Sequence, residues 1–370
     1  MIIGIPTEVK TAETRVAMTP DGVRGLSALG HQVRVQSGAG VGSSFSDADM
    51  VAAGATMVSA EVAWAAELVC KVKEPQESEF KYLREDLVLF TYLHLATYPA
   101  VAKALFDAKT TGIAYETVQS ANGDLPLLAP MSEVAGRIAT QVGASLLEQR
   151  NGTRGILLGG VPGVRAARVV VIGAGHVGWN AAWIAQGMEA EVLLLDKNVD
   201  RLRWVDQIHK GRIMTLASNR GSIERALAEA DLLIGAVLVA GGRAPIVVTD
   251  DMVEMMRPGS VIVDVAVDQG GCVETTHETT WEEPTYFVHD VLHYAVGNMP
   301  AAVPHTSTYA LTNATFPYVL SLAESGVLDA ATDDAVFRGG INTVKGGCVN
   351  AAVAEALGLE AEDPLELLKS

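Results

Sequence analysis

An apolar run, Val169-Val170-Val171-Ile172, passes directly into Gly173-Ala174-Gly175-His176-Val177-Gly178. A short continuous apolar run reads as a strand buried on both faces of a parallel sheet. The G-x-G-x-x-G that follows is a strand-to-helix turn in which each glycine has a steric task. The first permits the tight turn, the second lets backbone approach a pyrophosphate, and the third lets the helix pack on the strand. The helix start then presents its unpaired N–H groups to phosphate. Alone, the motif also fits a glycine turn in a fold that binds nothing. Here the next strand, 191–195, runs into Asp196. That is the spacing, about 20 residues on, at which a carboxylate meets the ribose hydroxyls of a dinucleotide. An acid there repels a 2′-phosphate and favours NAD over NADP, and Lys197 beside it softens the preference.

The rest of the chain is organised around similar units. At 370 residues it is long enough for two domains. Strands are predicted at 2–5, 32–36, 67–72, 87–92 and 112–116. Helical stretches lie between them: one opens at Thr19-Pro20 and stops at Gly30, and a shorter one spans 46–53. A longer helix follows over 132–149, then a glycine-rich connection over 152–163. A second alternating set has strands at 168–172, 191–195, 231–234 and 260–265, and a last helix covers 351–357 and ends at Gly358. Strands separated by helices imply parallel sheets covered on both faces. The expected class is α/β.

Composition removes several alternatives. There are 27 Lys and Arg against 44 Asp and Glu, a formal net charge of −17. Phosphate neutralisation needs a cationic surplus, so a nucleic-acid or anionic-membrane binder is not expected. Hydrophobic residues make up 49% of the chain and charged residues 19%, which is too core-rich for disorder. Cys70, Cys272 and Cys348 are odd in number and far apart, so neither a disulfide framework nor a metal cluster is expected, and a reducing cytoplasm fits. The N-terminus has no basic region before its apolar run and does not read as a signal peptide. One stretch, 291–323, lacks any Asp, Glu, Lys or Arg and is long enough to span a bilayer. It also carries Pro300, Pro304 and Pro317 among many hydroxyl and amide side chains, which a lipid-exposed helix satisfies poorly. It reads as buried or interfacial backbone.

In parallel sheets, ligands gather at the carboxyl ends of strands. That rule selects Arg15, in the loop after the first strand; Lys73, after 67–72; His94, after 87–92; and Asp268, after 260–265. Each has a plainer reading: solvated cations, a hydrogen-bonded core histidine, a turn aspartate before Gln269-Gly270-Gly271. Together they make chemical sense. Arg and Lys hold a carboxylate, His moves protons near neutral pH, and Asp orients water or takes a proton.

The sequence resembles the family of bacterial L-alanine dehydrogenases, which includes the NAD-binding part of proton-translocating transhydrogenase and the lysine-forming saccharopine dehydrogenase. The resemblance covers nearly the whole chain. It rests on Gly4-Ile5-Pro6-Thr7-Glu8, Glu13-Thr14-Arg15-Val16-Ala17, Lys71-Val72-Lys73-Glu74-Pro75, Thr91-Tyr92-Leu93-His94-Leu95, 129–137, the glycine fingerprint, Val267-Asp268-Gln269-Gly270-Gly271, Asn298-Met299-Pro300 and Thr306-Ser307-Thr308. It implies reversible oxidative deamination of L-alanine by NAD to pyruvate and ammonium. Arg15 and Lys73 match the positions that bind substrate, and His94 and Asp268 match the catalytic ones. Gly173, Gly175, His176, Val177, Gly178 and Asp196 match dinucleotide contacts, as do Ser132, Arg201, Ser218, Val237, Leu238, Asn298 and Met299.

The resemblance also implies two Rossmann-like, doubly wound domains: a substrate domain from 1–128 and 305–370, with an NAD-binding domain, 129–304, inserted into it. No metal is implied. A cytoplasmic homohexamer is, with opening and closing of the domains gating the reaction. Two departures stand out. Val177 is bulkier than the small residue usual inside the fingerprint, and His305 stands where relatives carry a longer basic side chain, which makes any charge there pH-dependent. Two other functions stay open on the residues alone. One is a module that passes hydride to a partner's cofactor, which has no need of the Arg15, Lys73 and His94 set. The other is a saccharopine-type dehydrogenase, whose substrate calls for more cations than the motifs carry.

Overall fold

The computed structural model describes residues 1–237 and 244–370, which divide into two compact units. The first comprises Met1–Met131 and Ala301–Ser370; the second is Ser132–Pro300.

Among the described residues, the first unit holds an eight-stranded sheet. Its parallel strands are β1 (Ile2–Ile5), β2 (Gln32–Gln36), β3 (Thr56–Val58), β4 (Leu68–Cys70), β5 (Val88–Thr91) and β6 (Thr111–Ala114). The second unit holds a seven-stranded sheet. It contains β7 (Arg168–Ile172), β8 (Glu191–Asp196), β9 (Met214–Ala217), β10 (Leu232–Gly235), β11 (Val261–Asp264), β12 (Thr285–Val288) and β13 (Val291–Tyr294). The chain then returns to the first sheet with β14 (Ile341–Val344) and β15 (Gly347–Cys348).

The strand orders are β15-β14-β6-β5-β4-β1-β2-β3 and β12-β13-β11-β10-β7-β8-β9. Each sheet therefore begins in its middle. It winds outward through two further strands, then returns past its first strand and winds out the other way. This is the doubly wound order, and the reversal falls between β1 and β4 in one sheet and between β7 and β10 in the other.

The second sheet shows why its strands read as continuous apolar runs. Val169, Val171, Leu194, Leu232, Ile234, Val261 and Val263 enter the core on one face. Val170, Ile172, Leu195, Leu233 and Ile262 enter the core on the other. Side chains alternate, but both faces are covered, so the alternation carries no polarity.

Both sheets are parallel through most of their strands, and antiparallel pairing enters only with β12, β14 and β15 at one side of each. The β12–β13 hairpin turns through His289 (φ 51°) and Asp290 (φ 58°). Two consecutive left-handed residues suit a type I′ turn, but without glycine or asparagine the turn sends no signal in the sequence. Strand β3 is too short to show a period, and β9 is too exposed.

The uncharged stretch resolves into the buried strand β13, a short turn at Met299–Ala302, and a helix, Pro304–Asp333, broken at Gly326 (φ 74°). Its hydroxyls are used inside the first unit. Thr308 Oγ1 accepts the Val16 N–H (3.2 Å) and meets Ser43 Oγ (2.9 Å), and Thr312 Oγ1 donates to the Ala17 carbonyl (3.5 Å). A stripe at helical spacing thus holds the segment that carries Arg15. Among the described residues, no helix is long and apolar enough to cross a membrane.

One buried imidazole gives a test of the second unit. His293 Nδ1–H donates to the Val291 carbonyl (2.9 Å), and Nε2 accepts from Thr275 Oγ1 (2.7 Å). Burial pulls its pKa down to about 4. The unfolded chain takes up this proton near pH 6.5, so the stability it contributes is complete above that pH and is lost as pH falls toward about 4. The gap in Tm between the wild type and His293→Gln is expected to narrow across this window. A gap that stays constant or widens contradicts a neutral buried imidazole.

Candidate active site

In the first unit, the loops after β1 and β4 leave neighbouring strands where the order reverses, and these loops carry Arg15 and Lys73. Arg15 is buried. Its Nε and Nη2 grip the two oxygens of Glu13 at 2.7 and 2.5 Å, and Nη1 lies 3.0 Å from Met131 Sδ. Burial alone lowers the Arg15 pKa, but the hydrogen bond and charge of Glu13 hold it above its ordinary value. The loop after β4 carries a second buried cation, Lys71, whose ammonium meets Glu8 at 3.0 Å and Glu79 at 2.9 Å. Burial opposes that charge, and the two carboxylates restore it and raise its pKa. Glu8 also accepts the N–H groups of Val72 (2.6 Å) and Lys73 (3.3 Å), and it lies within electrostatic reach of Arg15.

His94 follows β5, half-exposed, with φ 46°. Left-handed backbone is unfavourable for a residue with a Cβ and persists when the surroundings enforce it. Glu116, just past β6, does so. Its carboxylate accepts the N–H of Leu93 (3.2 Å) and of His94 (2.5 Å), and its Oε1 lies 3.8 Å from His94 Nδ1. The imidazole stacks on Tyr92 at 5.7 Å and 3°, and the Tyr92 hydroxyl donates to the Leu127 carbonyl. Burial pushes the Tyr92 pKa up, while the charge of Arg15 pulls it down. Glu8 thus bonds the Lys73 backbone and Tyr92 stacks on His94, and both lie within electrostatic reach of Arg15.

In the second unit, the fingerprint occupies the loop after β7. Gly173 has φ 105°, and a Cβ on it would strike the Ala236 carbonyl at 2.5 Å. A Cβ on Gly178 would strike the Gly173 carbonyl. The helix His176–Gly187 begins at Gly175 with no side-chain cap, with His176 exposed and Val177 buried. Asp196, the last residue of β8, bonds back into the turn: one oxygen accepts the Ala174 N–H (2.6 Å), the other the Asn198 N–H (2.7 Å). The Ser218 N–H reaches the Asp196 carbonyl (2.9 Å), Val237 follows β10 beside Gly173, and the Arg201 guanidinium stands against Gly175. Ser132 lies on the helix Ala129–Leu146, while Leu238 falls outside the described residues.

Asp268 sits on the turn Val265–Gln269 after β11, where its carboxylate accepts the Asn298 N–H at 3.0 and 3.2 Å. Asn298 has φ 53°, and Met299 beside it is buried. The turn is organised by a buried acid that the sequence reading passes over. Asp264 accepts the N–H groups of Ala266, Cys272 and Val273 and the hydroxyl of Thr276, at 2.7 to 3.1 Å. The sequence reading also misses Glu8, Glu13, Lys71 and Glu116. Glu116 had a usable signal, since it ends the predicted strand 112–116, and so had Asp264, one residue from the end of the predicted strand 260–265. Among the described residues, no group of acidic, histidine or cysteine side chains can hold a metal ion.

Comparison with known proteins gives a consistent answer. Family models described as the N-terminal and C-terminal domains of alanine dehydrogenase/PNT match residues 4–135 and 139–351. An alanine dehydrogenase of Mycobacterium tuberculosis is 54% identical over 370 residues, covering 100% of both chains. One from Bacillus subtilis is 55% identical over 97% of this chain and 96% of that protein. A solved L-alanine dehydrogenase superposes with a TM-score of 0.94 at 51% identity, covering 97% of this chain and 99% of the other. A transhydrogenase from Sinorhizobium meliloti, at 23% identity and a TM-score of 0.81 over 95% of this chain and 100% of that one, shares the fold.

The crowding at the fingerprint makes a direct prediction. Gly178→Ala forces a methyl group into the Gly173 carbonyl, so chemical denaturation is expected to show a loss of about 1–3 kcal/mol. Wild-type stability in that variant contradicts the close helix–strand approach.

Proposed function

The chain belongs to the alanine dehydrogenase/PNT family, and from that premise we propose that it is an L-alanine dehydrogenase. The reaction is reversible oxidative deamination of L-alanine to pyruvate and ammonium, with NAD as cofactor. The observation that carries the reading is the arrangement at the β1/β4 reversal: Arg15 and Lys73 on the two diverging loops, with His94 on the next strand end. A ligand carboxylate is what two cations at such a crevice suit.

The second unit fits a dinucleotide. Gly173 and Gly178 leave spaces that a Cβ would fill, and the helix start after them has no side-chain cap. In the reading, Gly173, Gly175, His176, Val177 and Gly178 hold the pyrophosphate. Asp196 holds the ribose hydroxyls with the lone pairs its two backbone bonds leave over. Ser132, Arg201, Ser218, Val237, Leu238, Asn298 and Met299 complete the contacts. When bound, NAD supplies the acceptor for the hydride from the substrate Cα.

Arg15 and Lys73 fix the substrate carboxylate and carbonyl oxygen, which restricts the orientation of the Cα hydrogen. The amine must be neutral before oxidation, water must then add to the iminium, and the carbinolamine must lose ammonia. These steps move protons in both directions, the work of His94. A carboxylate beside Nδ1 favours the Nδ1–H tautomer and leaves Nε2 as the base, which gives Glu116 an orienting role. Asp268 serves as the second proton-handling group. The first unit is then the substrate domain and the second the NAD-binding domain. The reading extends to a homohexamer in the cytoplasm, for which light scattering of the purified protein is the check on assembly.

Purified protein with L-alanine and NAD is expected to generate NADH absorbance at alkaline pH. Turnover appearing only on addition of a second nucleotide-binding protein contradicts the reading. His94→Ala is expected to lower turnover by about 10²–10⁴-fold while leaving NADH binding intact. Near wild-type rates from it remove the acid–base role. Asp196→Ala is expected to weaken NAD binding and bring the NAD and NADP affinities closer together, and an unchanged preference removes the ribose role.

A further inference from the structure

We propose that Glu8 is a positioning residue for substrate binding: a buried clamp that fixes the backbone of Lys73. The inference rests on the substrate-binding role of Lys73 given above.

Its basis is the set of hydrogen bonds made by the backbone from Lys71 to Lys73. The Lys71 N–H donates to the Phe90 carbonyl (3.1 Å), and the Lys71 carbonyl accepts the Tyr115 hydroxyl (3.0 Å). The Val72 carbonyl accepts the Tyr92 N–H (3.3 Å), and the Lys73 carbonyl accepts the Thr91 hydroxyl (2.9 Å). These partners come from β5 and the two segments that follow β5 and β6. The Val72 and Lys73 N–H groups, at the point where β4 ends, are met from the opposite side. Glu8 accepts both, at 2.6 and 3.3 Å, from the loop after β1.

That loop runs on the far side of the strand-order reversal, where neighbouring loops diverge and no backbone ladder links them. A side chain is needed to set their spacing. Glu8 does this with a carboxylate that is itself held by Lys71 Nζ at 3.0 Å, and Lys71 is fully buried between Glu8 and Glu79. Lys71 is thereby committed to structure, and Lys73, two residues on, carries the substrate role. Apolar contact would tie the two loops with no desolvation penalty. A buried carboxyl clamp adds direction, because its two oxygens must face the two N–H groups.

The test compares three variants in steady-state kinetics with pyruvate, ammonium and NADH. Glu8→Gln keeps the shape but places an amide N–H₂ where one donor needs an acceptor. Its KM for pyruvate is expected to rise about tenfold or more, since a displacement of about an ångström in a positioning group costs up to 10²-fold. Its KM for NADH is expected to hold. Glu79→Gln removes a partner of Lys71 but leaves both Glu8 bonds to the backbone, so its KM for pyruvate is expected to stay within about twofold even as Tm falls. Glu8→Asp keeps the carboxyl group on a shorter arm and is expected to lie between the wild type and Glu8→Gln; it carries the test if Glu8→Gln does not fold. An unchanged KM in both Glu8 variants, or an equal rise in Glu79→Gln, overturns the clamp. Wild-type protein inactive with pyruvate overturns the functional reading and the clamp with it. An active wild type with an indifferent Glu8 overturns the clamp alone.

Discussion

Where a parallel strand has neighbours whose connections run in opposite directions, the loops beyond its carboxyl end separate and leave backbone exposed between them. Both sheets are built around one such reversal, at β1/β4 and at β7/β10. Part of what is proposed to bind a ligand leaves the strands at these two points. Arg15 and Lys73 leave the first reversal, and the glycine turn and Val237 leave the second. The strands contribute little chemistry themselves. They are apolar on both faces, and their work is to hold loop origins at fixed spacing.

A crevice of that kind must be lined without collapsing. In the second unit, glycine does this by absence, because side chains on Gly173 or Gly178 would meet carbonyl oxygens across the turn. In the first unit, buried charge does it. Glu13 grips Arg15, and Glu8 and Glu79 enclose Lys71. A buried cation without a partner is strongly unfavourable, so each is matched by a carboxylate from nearby loops. The overall charge of −17 says nothing of this local balance.

Legibility varied with the range of the interaction involved. Strand β1, strand β2, strand β7 and the helix Ala351–Leu357 appear where their local patterns put them. So does the helix at Pro20, where Thr19 accepts the Gly22 N–H. The hairpin at His289 and Asp290 did not, because its left-handed turn is imposed by the pairing of β12 with β13. Glu8, Glu13, Lys71 and Asp264 look like ordinary loop and strand-end charges in the sequence. Their partners lie up to tens of residues away, as Glu8 and Lys71 do, and burial is what gives them a role. The hydroxyl face of Pro304–Asp333 is similar: its composition argued against lipid, but not for its contact with Val16 and Ala17.

The sequence by itself determined the α/β class, the glycine turn with an acid at the next strand end, and the placement of Arg15, Lys73, His94 and Asp268 beyond strand ends. These follow from local sterics and from the periodicity of apolar residues, both of which operate within one strand-turn-helix unit. Tertiary structure alone decided the strand orders, the antiparallel edges, the strained backbone of His94 against Glu116, and the buried acids that hold the loops. Those depend on which strands become neighbours, and pairing energies between distant segments leave no mark at either end of the chain until the sheet is assembled.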